Sequence, residues 1–197
     1  HAFAAAQRSA MGLDCTDTII AVAPMYHANA WAMPYIAAMV GAKLVLPGPH
    51  HDPETMVRLM NSEQATFACG VPTIWTMVLQ YLRSTGQTLT SLQRTTIGGS
   101  AVPQAMIDGL SEHGVRVLHL WGMTELSPLG TVSTETPELA ALDAAARRQQ
   151  LAKQGRLQYG VELQLIGEDG GVLAHDGERA GALWARGPWV CSAYYRR

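Results

Sequence analysis

The chain has 197 residues, 48% of them hydrophobic and 15% charged, with a formal net charge of −2. That balance implies a large buried fraction and little disorder, excludes a basic nucleic-acid-binding stripe, and is long enough for one sizeable domain or part of a larger one. Cys15, Cys69 and Cys191 are widely spaced with no CxxC pair, so they read as reduced thiols of a cytoplasmic protein, neither a disulfide framework nor a zinc site.

The first residues lack a basic region ahead of a long apolar core, so no secretory signal is expected. Pro24, His27, Asn29, Pro34 and Lys43 interrupt the best apolar run before it reaches membrane-spanning length. His1 to Ala10 reads as the middle of a helix without an N-cap, and the other end follows directly on a strand, so the chain is expected to be a central segment of something longer. Asp17 to Ala23 is a short β-branched apolar run, a buried strand ending at Pro24. A helix is expected from Met25 or shortly after to about Val40, then a strand at Lys43–Leu46 closed by Pro47-Gly48-Pro49. Asp52-Pro53-Glu54 supplies an N-cap, a first-position proline and an early acid for the next helix. Strands follow at Thr66–Cys69 and Thr95–Ile97, with a helix between them from Val71-Pro72 to about Ser84. Pro103 suits the first position of a further helix to about His113, and Arg116–Leu120 is the next strand. Pro137 to Gln154 suits one exposed helix, and Val161–Ile166 and Gly181–Ala185 read as antiparallel strands around Gly-rich turns.

Strand–helix alternation predicts an α/β layer with a parallel-rich sheet flanked by helices over residues 1–154. A β-rich subdomain is expected from 155 to 197. Three strings at strand ends carry chemistry. In Trp121-Gly122-Met123-Thr124-Glu125 an aromatic, a glycine, a hydroxyl and a carboxylate follow a buried strand, where open α/β sheets place ligands. Trp121 suits stacking on a flat base, Gly122 a close backbone approach, Thr124 a phosphate oxygen and Glu125 a Mg²⁺ ion. Gly98-Gly99-Ser100-Ala101-Val102-Pro103 is either a ligand-facing loop with free N–H groups or an ordinary βα turn. Pro24-Met25-Tyr26-His27-Ala28-Asn29-Ala30-Trp31 fits an apolar substrate wall with His27 near the reacting group and Trp31 as a movable lid. A satisfied buried histidine and a core tryptophan fit it more simply. His50-His51, with only Asp52 beside it, reads as a solvated pair. No G-x-G-x-x-G follows the first strand and no Walker-type loop occurs, which argues against a dinucleotide dehydrogenase or a P-loop enzyme.

Taken in order, PMYHANAW, GGSAVP and WGMTE, followed by GRLQYGVELQLIGEDG and WARGPWVCSAYY, resemble the adenylate-forming (AMP-binding) enzymes, and among them the medium- and long-chain fatty acyl-CoA synthetases. The resemblance implies a piece of such an enzyme's large N-terminal domain. It implies ATP and Mg²⁺ as cofactors, acyl-adenylate formation with release of pyrophosphate, and coenzyme A as the thiol that displaces AMP. It assigns adenine stacking to Trp121, an α-phosphate contact to Thr124 and the Mg²⁺ ligand to Glu125. Gly99 and Ser100 fall along the nucleotide, with Gly98 beside the acyl group. His119, Leu120 and Gly122 border the nucleotide, although many members have glycine where Leu120 stands. His27 and Ala28 fall beside the acyl carboxylate, and Trp31 matches a tryptophan gating the acyl tunnel. The absence of an acid between Pro24 and Trp31 points to an uncharged acyl group and away from an amino acid. A short or sulfur-bearing acid such as methylthiopropionate, or a non-catalytic nucleotide-binding module, are the competing readings. By the resemblance, the triphosphate loop, ribose aspartate and catalytic lysine lie outside this stretch, so residues 1–197 alone are expected to be inactive. The partners expected are the small-molecule acid, ATP and CoA. A homodimer and peripheral membrane contact are both compatible with the sequence, although no basic amphipathic anchor is present.

Overall fold

The computed structural model describes residues 1–196. Its organisation starts from strand alternation. In β1 (Thr18–Ala21) Ile19 and Ala21 enter one core, while Ile20 and the following Val22 enter another across the sheet. A strand apolar on both sides needs cover on both faces, and the chain supplies it. The main sheet runs β2 (Lys43–Val45), β1, β3 (Phe67–Gly70), β4 (Arg94–Ile97), β5 (Arg116–Gly122), β6 (Leu129–Val132), β7 (Arg156–Leu157). From β2 to β5 every neighbour is parallel; β6 and β7 add antiparallel.

On one face α1 (Ala2–Ala6) and α3 (Met33–Val40) pack Ala5, Ala6, Met33 and Ile36 against Ile19, Phe67, Leu118 and Leu120. On the other, α4 (Pro53–Ser62), α5 (Pro72–Thr85) and α6 (Gln104–Glu112) bring Met56, Met60, Trp75, Leu82 and Leu110 onto Ile20, Ala68, Ile97 and Val117. Burying each large apolar side chain contributes about 1.5–3 kcal/mol. Local signals set the helix ends. The Asp52 carboxylate accepts a hydrogen bond of 2.8 Å from Thr55 N–H, with Pro53 next, so α4 starts as expected. Pro103 is the N-cap of α6 and not its first helical residue, so the helix starts at Gln104, one position later than expected.

A buried ion pair closes the amino end of the sheet. Arg94 lies 2.7 Å from Asp17, their side chains only 11% and 6% exposed. Arg94 also donates to the carbonyls of Met11 and Gly12, and Asp17 accepts from the Thr66 hydroxyl at 2.6 Å. Every buried charge there is matched, as burial requires.

Four expectations need correction. The helix expected from Met25 to Val40 is broken: the turn α2 (Ala28–Trp31) is left-handed, and α3 begins only at Met33. The strand expected to end at Leu120 runs on to Gly122 and returns as β6, which the proline at 128 had concealed. A Cβ on Gly122 would lie 2.0 Å from the Pro128 carbonyl oxygen, so this return needs glycine. Arg156–Leu157 joins the main sheet, so the second sheet starts at Glu162 and not at Gly155. That sheet orders β10 (Ala182–Arg186), β8 (Glu162–Ile166), β9 (Val172–Leu173), all antiparallel. The exposed helix expected over 137–154 is two short ones, α7 (Pro137–Ala140) and α8 (Ala144–Leu151), because Thr136 and Asp143 each cap a new start. No helix among the described residues is long and apolar enough to cross a membrane.

Candidate active site

The carboxyl ends of β1, β4 and β5 open on one cleft of about 290 Å³. His27, Ala28 and Trp31 form the wall after β1, Gly99 that after β4, and Leu120, Gly122, Thr124 and Glu125 that after β5, with Met123 and Pro128 beside them. Eight expected site residues thus meet from three loops up to 98 positions apart, His27 to Glu125. His27 is exposed at the rim, so the buried-histidine reading is overturned. Trp31 is 4% exposed and shares the core with Ala30, Met33 and Leu120, so it is a core tryptophan that also lines the cleft.

The wall carrying Trp31 is strained. Ala28, Asn29, Ala30, Trp31 and Ala32 have φ of 46°, 54°, 51°, 56° and 66° in succession, with no glycine among them. Left-handed backbone costs an L-residue about 1–2 kcal/mol each. Packing of Ala30, Trp31 and Ala32 into the core, and hydrogen bonds from the Ala32 N–H to the Ala28 and Asn29 carbonyls, hold the run in place. Strain of this kind concentrates at functional sites.

Strand alternation distributes the remaining expected residues. Leu118 and Leu120 point to the α3 side of β5, so His119 and Trp121 point to the other. Trp121 is half-buried in an adjoining cleft of about 360 Å³ with Thr131, Lys153, Gln154, Gly155, Leu163 and Leu183. His119 is buried. Its Nδ1 lies 2.7 Å from the Ala152 carbonyl oxygen, which makes Nδ1 the protonated nitrogen and Nε2 an acceptor. Burial pushes its pKa down, partly offset by the Ala152 hydrogen bond. His119 Nε2 and Thr131 Oγ1 are buried without a protein partner among the described residues. The half-buried indole of Trp121 suits a flat heteroaromatic ring stacked on it.

Gly98 lies under Leu120, not on the cleft surface: a Cβ there would come within 2.4 Å of the leucine side chain. Ser100 is exposed on the loop before α6 and lines neither cleft.

Glu125 sits in the short turn Thr124–Leu126. The Tyr194 hydroxyl donates to its Oε1, and this hydrogen bond is the main cause of a carboxyl pKa below the usual value. Among the described residues no cation pairs with this carboxylate, and no group of three or more His, Cys, Asp or Glu gathers anywhere. A single free carboxylate beside a hydroxyl fits Mg²⁺, which keeps its waters and takes one or two carboxylates plus substrate phosphates. Tyr194 and Met123 carried no signal in the sequence. Tyr194 belonged to a strand-like tail, and its partner lies 69 residues away.

An open parallel-rich α/β sheet with its cleft at the strand carboxyl ends defines a ligand-binding α/β fold. The chain belongs to the AMP-binding enzyme family, whose model matches residues 1–195. It is similar to the 3-methylmercaptopropionyl-CoA ligase of Ruegeria pomeroyi, 43% identical over 197 residues, covering 100% of this chain and 36% of that protein. It is equally similar to the medium-chain-fatty-acid–CoA ligase of Ectopseudomonas oleovorans, 43% identical over 196 residues, covering 99% of this chain and 36% of that protein. A long-chain-fatty-acid–CoA ligase structure from Archaeoglobus fulgidus superposes with a TM-score of 0.83 at 25% identity, over 100% of this chain and 39% of that one. The chain therefore spans little more than a third of the length of these relatives.

Proposed function

We propose that this chain is the central part of an ATP-dependent acid–thiol ligase that joins a carboxylic acid to coenzyme A through an acyl-adenylate. The observation that carries this reading is the meeting of His27, Ala28 and Trp31 with Thr124 and Glu125 in one cleft. A carboxylate held by the first group would face a phosphate held by the second.

In this reading the base of ATP lies against Trp121, in the cleft that Thr131 and Gly155 also line. Thr124 donates to the α-phosphate, where negative charge builds as the acid's oxygen attacks phosphorus and pyrophosphate leaves. Glu125 would hold Mg²⁺, which would neutralise the phosphate charge that repels the incoming carboxylate. Gly99 runs along the adenylate. His27 orients the acyl carboxyl, and Trp31 and Leu120 exclude water from the acyl group. In the second half-reaction the CoA thiol adds to the acyl carbon and AMP departs. Residues 1–154 carry the nucleotide and acid walls, and the antiparallel sheet of the remainder flanks them.

The acid is a fatty acid in the leading reading. The relative named for 3-methylmercaptopropionate supports a short sulfur-bearing acid as the second reading. The test is ATP–pyrophosphate exchange by the full-length protein with acids of increasing chain length and with 3-methylmercaptopropionate. Acid-dependent exchange supports the ligase. No exchange with any acid, together with unimpaired ATP binding, would leave a nucleotide-binding module.

A further inference from the structure

The segment after β10 crosses back over the Thr124–Leu126 turn and grips it at three points. The Cys191 N–H donates to the Glu125 carbonyl at 2.9 Å, and the Ser127 hydroxyl donates to the Trp189 carbonyl at 3.0 Å. The third point is the Tyr194 hydroxyl on Glu125 Oε1. The segment is itself anchored. The Trp189 ring lies edge-on to His1 at 5.8 Å, and His1 Nε2 accepts from the Leu129 N–H at 3.1 Å, at the start of β6.

We propose that Tyr194 is a positioning residue, setting the orientation of the Glu125 carboxylate for the divalent cation that accompanies the nucleotide. The proposal rests on the reading of Glu125 as that cation's ligand. A glutamate on a turn has three rotatable bonds, and among the described residues no ion pair fixes this one. Without a partner it must lose that freedom when the cation binds. The tyrosine has two rotatable side-chain bonds, and the chain three residues before it is tied through the Cys191 N–H to the turn that carries Glu125. It therefore orders the carboxylate beforehand, engages one oxygen and leaves the cation the other. Tyr194 is 60% exposed, so removing its hydroxyl takes little from the core.

The experiment compares wild type, Tyr194→Phe and Glu125→Gln in the full-length protein, reading Mn²⁺ affinity of the ATP complex by electron paramagnetic resonance with no acid present. Tyr194→Phe is expected to weaken Mn²⁺ binding about fivefold, the scale of one exposed hydrogen bond. The KM for the acid and the thermal midpoint should stay at the wild-type values. Glu125→Gln is expected to weaken Mn²⁺ binding further. Unchanged or tighter Mn²⁺ binding in Tyr194→Phe, with Glu125→Gln impaired, overturns the role of Tyr194 and leaves Glu125 as ligand. Unchanged binding in both overturns the reading of Glu125 and the proposal with it. A Phe variant that melts lower and loses acid and metal affinity alike assigns the contact to folding and also overturns the proposal.

Discussion

The two ends of the main sheet are built on opposite plans. At the amino end Asp17 and Arg94 form a buried pair whose hydrogen-bonding groups are met by Thr66 and by the carbonyls of Met11 and Gly12. At the carboxyl end the backbone of residues 28–32 is left-handed, and Glu125 has no cationic partner among the described residues. His119 Nε2 and Thr131 Oγ1 are buried without partners among the described residues. One end satisfies its polar groups with its own chain, and the other tolerates backbone strain and unpartnered polar atoms. In a fold only marginally stable, strain and unmet polarity at one end must be offset by packing elsewhere.

Four changes sharpen that contrast. Glu125→Gln in the full-length protein should lower kcat for acid-dependent pyrophosphate exchange by about 100-fold or more, the scale of losing one charge-stabilising group, while the melting temperature holds. A retained rate would mean that the carboxylate serves the turn and not the chemistry. Arg94→Met should do the reverse. It strands Asp17 in the interior and should cost about 3–5 kcal/mol by denaturant unfolding, with activity per folded molecule kept. If activity fell in step below the unfolding transition, the two ends would be coupled.

The next effect is one of pH. Burial lowers the His119 pKa below its ordinary 6.5, so the folded state holds fewer protons on it than the unfolded chain. Stability from this group is complete above 6.5 and falls as pH drops from there towards the depressed folded value. His119→Gln should flatten that part of the stability curve, measured by thermal unfolding between pH 7 and 5. A slope unaltered by the substitution would show that other groups carry it. The smallest effect belongs to the strained wall. Asn29 is exposed with φ of 54°, so Asn29→Gly should raise stability by about 0.5 kcal/mol, since glycine takes this backbone freely. A loss of stability would mean that the left-handed run is held by the asparagine side chain.

Much of the fold was legible before the structure. Buried parallel strands are apolar runs by necessity, and Asp52-Pro53, Val71-Pro72 and the glycines after helices mark ends through local backbone chemistry. The order PMYHANAW, GGSAVP, WGMTE also located the cleft, and eight of the expected residues line it. What was not legible has physical causes. The left-handed turn at Ala28–Ala32 has no glycine to announce it, because tertiary packing holds those residues against their own preference. Trp121 was expected beside Thr124. It faces another cleft because β5 continues two residues further than its apolar run, and alternation turns the ring away. The strand β6 was hidden behind Pro128, and its pairing depends on a backbone approach that only Gly122 allows.

The sequence by itself determined the layered class, most element positions and which residue types converge at the strand ends, because these follow from periodicity and from neighbours a few positions apart. Only the tertiary structure decided on which side of β5 each site residue stands, that Leu120 covers Gly98, and that Tyr194 meets Glu125 across 69 residues. Those facts depend on how distant segments fill common space, and no local pattern of side chains encodes that filling.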